Sequence, residues 1–116
     1  MTNKKVLIVD DNQQITSLLK EILEMKDCDA LIASTGQEAL ALYRDNDFDI
    51  VISDVKLEDI NGLELVKQMQ SIKSSGFIIS SGYSDAVDKE TMERMGIKGF
   101  LPKPFAFDDL FKLLES

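Results

Sequence analysis

The chain has 116 residues, 13 basic against 21 acidic side chains, one Cys, and neither His nor Trp. That length suits a single domain, and a hydrophobic fraction of 44% is that of a folded globular chain with no need of a disulfide or metal staple. A net charge of -8 argues against a nucleic-acid backbone or an anionic membrane as direct partner, and the scattered lysines, with Lys4-Lys5 as the longest run, supply no basic patch to reverse it.

The absence of His removes a Ser-His-Asp triad, a His-ligated zinc and any phosphohistidine of the chain's own. Cys28 alone can form no internal disulfide and reads as a small apolar filler, as suits a reducing compartment. The longest apolar run, Ala39–Tyr43, falls far short of the ~18 residues a membrane helix needs. Val6–Val9 is too short for a signal segment and is followed at once by two aspartates. The expectation is one soluble, cytoplasmic domain over residues 1-116.

In chain order, Val6–Val9 predicts a first strand, closed by Asp10-Asp11. Ile15, Leu18, Leu19, Ile22 and Leu23 then make the apolar stripe of an amphipathic helix. Leu31–Ala33 predicts strand two, and Thr35 with Glu38 reads as a capping box opening a helix that carries Ala39, Leu42 and Tyr43. Ile50–Ile52 predicts strand three, which runs on to Asp54. Gly62 precedes a third helix with Leu65, Val66, Met69 and Ile72. Phe77–Ile79 predicts strand four, ending in Ser80-Ser81-Gly82. The fourth helix is thinly apolar, with Val87, Met92 and Met95. Phe100–Leu101 is a weaker fifth strand before Lys103-Pro104, and Phe107, Leu110, Phe111 and Leu114 stripe the last helix.

Continuous apolar runs, rather than alternating ones, suit strands covered on both faces. Five of them alternating with five helical segments predict an α/β domain with a parallel sheet, right-handed crossovers and helices on both sides. In such sheets ligands bind at the carboxyl ends of the strands. Asp10, Asp11, Asp54, Ser81 and Lys103 each follow an apolar run, so all should project from that one edge. Three carboxylates gathered there would raise the pKa of at least one unless they share a cation. Oxygen ligands without His or Cys suit a hard divalent ion such as Mg²⁺. With an ammonium and a hydroxyl added, the set forms a receptor for phosphoryl oxygens.

Val6-Leu-Ile-Val-Asp-Asp11, Asp54 followed by Gly62, Ser81-Gly82 and Lys103-Pro104-Phe105 together resemble the receiver domain of two-component response regulators, of the chemotaxis-regulator kind. The resemblance covers the whole chain and implies a flavodoxin-like sheet in the order 2-1-3-4-5. It implies that Asp54 accepts a phosphoryl group from a sensor histidine kinase or a histidine phosphotransfer protein. Asp11 would ligate Mg²⁺ (or Mn²⁺ as a substitute) directly and Asp10 mainly through water, with Asp54 and the backbone carbonyl of Lys56 completing the protein ligands. Ser81 and Lys103 would bind the phosphoryl group, making Asp54, Ser81 and Lys103 the catalytic set. Phe100 would act with Ser81 as the switch, and helix four, strand five and helix five would form the face that a downstream protein reads. The product would autodephosphorylate, and the domain would be a monomer or a phosphorylation-dependent dimer.

Departures from the commonest pattern are Glu58 where many receivers have Pro, which leaves the loop less preorganised, and Lys56, whose ammonium is placed to alter the acyl-phosphate lifetime. Lys103-Pro104 is a candidate cis peptide by the same resemblance. Met1 and the lack of a linker favour a freestanding receiver. Two rival readings remain: a receiver-like docking module that works without phosphorylation, and a Mg²⁺-dependent aspartyl phosphohydrolase. Against the second, strand one ends in adjacent aspartates rather than Asp-x-Asp, and no insertion is long enough for a substrate-closing cap.

Overall fold

Five strands and five helices alternate in the computed structural model, which describes residues 4–82, 88–103 and 106–115. They are β1 (Lys5–Val9), α1 (Gln13–Met25), β2 (Asp29–Ala33), α2 (Gly36–Asp45), β3 (Ile50–Asp54), α3 (Gly62–Gln70), β4 (Gly76–Ser81), α4 (Lys89–Met95), β5 (Gly99–Pro102) and α5 (Phe107–Glu115). The strands form one parallel sheet in the order β2-β1-β3-β4-β5, as expected of the flavodoxin-like arrangement. Val87, Pro104 and Phe105, and with them the candidate cis peptide, lie outside the described residues.

The continuous apolar runs arise because successive strand residues point to opposite faces and both faces are covered. Val6, Ile8, Ile50, Ile52, Ile78 and Leu101 pack with Leu19 and Leu23 of α1 and with Leu110 and Leu114 of α5. Leu7, Val9, Val51, Phe77 and Ile79 pack on the other side with Ala39 and Tyr43 of α2 and with Leu65, Val66 and Met69 of α3. Cys28 is a buried free thiol in the α1/α5 layer. Among the described residues no helix is long and apolar enough to cross a membrane.

Several helix details depart from the linear reading. Leu18 lies on the predicted stripe of α1 yet is 49% exposed, whereas Thr16 is buried. The Thr16 hydroxyl donates to the Gln13 carbonyl, so its burial leaves no orphaned donor. The Thr35 hydroxyl accepts the Glu38 N–H as predicted, but the Glu38 carboxylate reaches Ser34, accepting from its backbone N–H and hydroxyl. Gly62 is the first residue of α3 rather than its forerunner, because Asn61 takes the capping role and accepts the Leu63 N–H. Ile72 falls beyond α3 and is partly exposed. Helix α4 has no buried residue. It is held near its end by Met95 and Ile97, which pack on the α2/α3 layer, and by Gln70 Nε2 donating to the Met95 carbonyl at 2.7 Å. Gly96 ends it in the left-handed region (φ 73°), where a side chain would be strained.

Candidate functional site

The carboxyl ends of β1, β3, β4 and β5 bring the predicted acids and the lysine together. Asp10 continues β1, its N–H bonded to the Ala33 carbonyl at the end of β2 (3.1 Å). Asp54 is the last residue of β3 and Ser81 the last of β4. Strand β5 pairs Pro102 with Ser81, and the next residue, Lys103, donates its N–H to the Ser81 carbonyl (2.7 Å). That register delivers the Lys103 ammonium to the carboxylates. Its Nζ lies 2.6 Å from Asp10 Oδ2 and 3.3 Å from Asp54 Oδ2. The resemblance pairs Lys103 with Asp54, but its shorter bond is to Asp10.

Asp10, Asp11 and Asp54 each offer a carboxylate oxygen, and these oxygens lie within 4.8 Å of one another. Asp10 and Asp54 are buried, and Asp11 is exposed at the mouth. Asp10 is already committed on both oxygens, to Lys103 through Oδ2 and to the Asn12 N–H through Oδ1 (3.0 Å). Asn12 in turn caps α1 by accepting from Gln14 and Ile15. The acidic end of β1 is therefore held by the start of α1.

Burial is the main cause that raises the Asp54 pKa, with the Asp10 charge adding to it, while the Lys103 ammonium and the Lys56 backbone amide pull the other way. For Lys103, burial alone would lower the pKa. The hydrogen bond and charge of Asp10, followed by those of Asp54, outweigh it, and the net shift is upward. The ammonium is thus fixed in its charged form. Three carboxylates against one ammonium leave two negative charges to be matched. All-oxygen donors at this spacing, with one exposed and two buried, fit a hard divalent ion that keeps part of its water shell.

Ser81 is buried, with its hydroxyl donating to the Gly82 carbonyl at 3.2 Å. By strand alternation it shares the face of Ile79 and of Phe100, the register partner of Ile79, whereas Asp54 continues the face of Ile50 and Ile52. Phe100 is half-buried against the α2/α3 layer, so the aromatic ring is partly core and partly surface. Lys56 is exposed, and its backbone pairs antiparallel with Asn61.

Sequence reasoning named Gly62 without its packing role and missed the parts played by Ser80 and Asp59. Gly62 donates its N–H to the Val55 carbonyl at 2.6 Å, and a Cβ there would stand 2.1 Å from the Asp54 carbonyl oxygen. The D-x₇-G spacing signals this glycine, but only the packing shows that the loop closes onto the backbone of Asp54 itself. Ser80, register partner of Asp54, buries a hydroxyl with no partner among the described residues. Asp59 accepts from two N–H groups of α2, and nothing in its neighbourhood along the chain announces that.

A family model of the response regulator receiver domain matches residues 6–115. The transcriptional regulatory protein CpxR of Klebsiella pneumoniae is 35% identical over 101 residues, covering 87% of this chain and 43% of the relative. The response regulator ArlR of Staphylococcus haemolyticus is 34% identical over 116 residues, covering 100% of this chain and 52% of the relative. The chain therefore spans about half the length of these curated relatives. A CheY-like receiver domain from Methylobacillus flagellatus superposes with a TM-score of 0.89 at 32% identity, covering 98% of both chains. The chemotaxis response regulator CheY4 of Vibrio cholerae superposes with a TM-score of 0.85 at 33% identity, again covering 98% of both. With this acidic edge, this sheet order and a family match over nearly its whole length, the chain belongs to the response regulator receiver domain family.

Proposed function

We propose that Asp54 is the phosphoacceptor of this receiver and that Lys103, bridging Asp10 and Asp54, is the group that makes its chemistry feasible. The bridge at 2.6 and 3.3 Å is the observation that carries the reading. A buried carboxylate with a raised pKa is a poor nucleophile unless its anion is stabilised, and Lys103 does that without surrendering its proton. The donor is a phosphohistidine on a sensor histidine kinase or a histidine phosphotransfer protein, since this chain has no His.

One carboxylate oxygen of Asp54 attacks phosphorus in line. The phosphorus–nitrogen bond breaks, its electron pair leaves with the donor imidazole, and an acyl phosphate remains on Asp54. Lys103 then pairs with the phosphoryl oxygens, and the Ser81 hydroxyl turns from the Gly82 carbonyl to donate to one of them. In the return step water attacks phosphorus, the phosphorus–oxygen bond to Asp54 breaks, and carboxylate and inorganic phosphate are released. Asp11, Asp54 and the Lys56 carbonyl would hold a Mg²⁺ ion directly, with Mn²⁺ as a substitute. Asp10, both of whose oxygens are engaged, would act mainly through water. When bound, that ion neutralises negative charge on the transferring group. The domain is a signalling phosphoacceptor rather than a turnover enzyme.

Ser81 and Phe100, on the face shared with α4, form the switch, and the α4, β5 and α5 surface is what a downstream protein reads. With -8 net charge this domain itself is unsuited to nucleic acid. By the family resemblance the domain is a monomer or a phosphorylation-dependent dimer.

Incubation with acetyl phosphate and Mg²⁺ should place one phosphoryl group on the parent and none on Asp54→Asn. Label retained in Asp54→Asn would move the acceptor elsewhere. A folded parent that takes no label would favour the docking-module reading, and sustained hydrolysis of a small phosphate ester would favour the phosphohydrolase.

A further inference from the structure

The loop between β3 and α3 is closed at its ends by backbone hydrogen bonds, and in its middle Leu57 and Ile60 pack on the α2/α3 side of the core. At its ends, Val55 N–H donates to the Ser80 carbonyl (3.2 Å), Gly62 N–H donates to the Val55 carbonyl, and Lys56 bridges to Asn61. At its middle, Asp59 reaches across to α2, its Oδ1 accepting from the Gly36 N–H and its Oδ2 from the Gln37 N–H, each at 2.9 Å. We propose that Asp59 is a positioning residue, which sets the Lys56 carbonyl for a divalent ion by tying this loop to the start of α2. The inference rests on the phosphoacceptor reading above and assigns to that site a support outside its ligand set.

Four observations favour a built tether over a chance cap. The first-turn donors of α2 are divided, with Thr35 serving Glu38 through its hydroxyl and Ala39 through its carbonyl, while Gly36 and Gln37 are left to Asp59. A helix start could satisfy such donors with its own neighbours; here the acceptor is 22 and 23 residues away. The close approach suits a glycine: a Cβ at Gly36 would stand 2.2 Å from Ile60 Cγ2, the side chain next to Asp59, and would force that side chain to shift. Those two amides hold the Asp59 carboxyl below the ordinary carboxylate range, so it carries its charge where it meets the positive end of the helix.

The tether also joins two loops that flank the same acids. The β2–α2 loop follows Ala33, whose carbonyl holds the Asp10 N–H, and the β3–α3 loop carries Lys56. With Glu58 in place of a proline, the second loop lacks covalent stiffening, and Asp59 supplies a non-covalent restraint one residue further on.

The test is calorimetric titration of Mg²⁺ into the full chain and three variants, each first checked for folding by circular dichroism. Asp59→Ala should weaken Mg²⁺ binding about tenfold, the scale for loss of a group that supports a metal ligand from behind. Asp59→Asn keeps one acceptor oxygen and should recover part of that loss. Thr35→Ala removes a local cap from the same helix but leaves the tether, and it should bind Mg²⁺ like the parent. Parent-like binding by Asp59→Ala would overturn the proposal, and so would an equal loss in Thr35→Ala, since helix stability alone would then suffice. A folded parent that binds no Mg²⁺ would overturn the functional reading itself, and this role with it.

Discussion

Helices α1 and α4 cover opposite faces of one sheet and differ in nearly every source of stability. Helix α1 has 13 residues, an Asn12 cap that accepts two N–H groups, and Thr16, Leu19 and Leu23 buried against the sheet. Helix α4 has seven residues and none buried; its Asp88 cap accepts one N–H, at 3.3 Å, and its Arg94–Glu90 pair is exposed at 3.9 Å. A seven-residue helix has almost no stability of its own, so α4 depends on what it touches, chiefly through Met95 and Ile97. The difference separates two tasks. The α1 side holds the Asp10 carboxylate, through the Asn12 N–H, on a firmly buried helix. The α4 side shares a face with Ser81 and Phe100 and is thinly anchored, and it is from such regions that switching elements are drawn.

Truncating a side chain on each flank should break the comparison most visibly. Leu23→Ala empties a fully buried site and should cost about 2–5 kcal/mol in denaturant unfolding. Met92→Ala, on a helix with no buried residue, should cost under about 1 kcal/mol by the same measurement. Equal losses would mean that α4 is anchored as firmly as α1.

Amide hydrogen exchange sharpens the same contrast. Exchange in α4 should be faster than in α1 and should slow about tenfold when acetyl phosphate and Mg²⁺ load the site, a typical coupling between linked sites. The α1 amides should hold their rates. Unchanged α4 protection would detach this helix from the switch.

The smallest effect concerns pH. In the unfolded chain Asp54 titrates near the ordinary value of about 3.9, whereas burial raises it in the folded one. Between those two values the folded state binds more protons than the unfolded, so stability falls as pH rises and the loss is complete above the folded pKa. With Mg²⁺ chelated, Asp54→Asn should therefore be more stable than the parent at neutral pH, because Asp10 still holds Lys103. The gain should vanish below about pH 4, where both forms are uncharged at this position. A parent as stable as Asp54→Asn at neutral pH would show that Lys103 already offsets the burial cost.

Much of the fold was legible because its signals are local. Ile50–Ile52 reads as a strand covered on both faces since every residue of β3 is indeed buried, and Thr35 caps Glu38 within four positions. The acids and Lys103 were legible as strand-end residues once the alternation placed all strands parallel. Finer features were not. Leu18 and Thr16 exchange roles because the width of the buried stripe depends on how α1 sits on the sheet, not on its own periodicity. Ser80 gives no hint that it will lie beside Asp54 with its hydroxyl unpaired among the described residues, since β3–β4 register places it there.

By itself the sequence determined the order and kind of elements, the inventory of strand-end carboxylates, and the absence of any histidine that could carry a phosphoryl group within this chain. Periodicity, capping and composition act within a few residues and survive in a linear reading. Only the tertiary structure decided that Lys103 binds Asp10 more closely than Asp54, that Gly62 closes on the Asp54 backbone, and that Asp59 joins one loop to the start of α2. The first and last of those contacts link residues 93 and 22 or 23 positions apart, and the second depends on how a short loop folds back; strand register and the seating of helices set their distances.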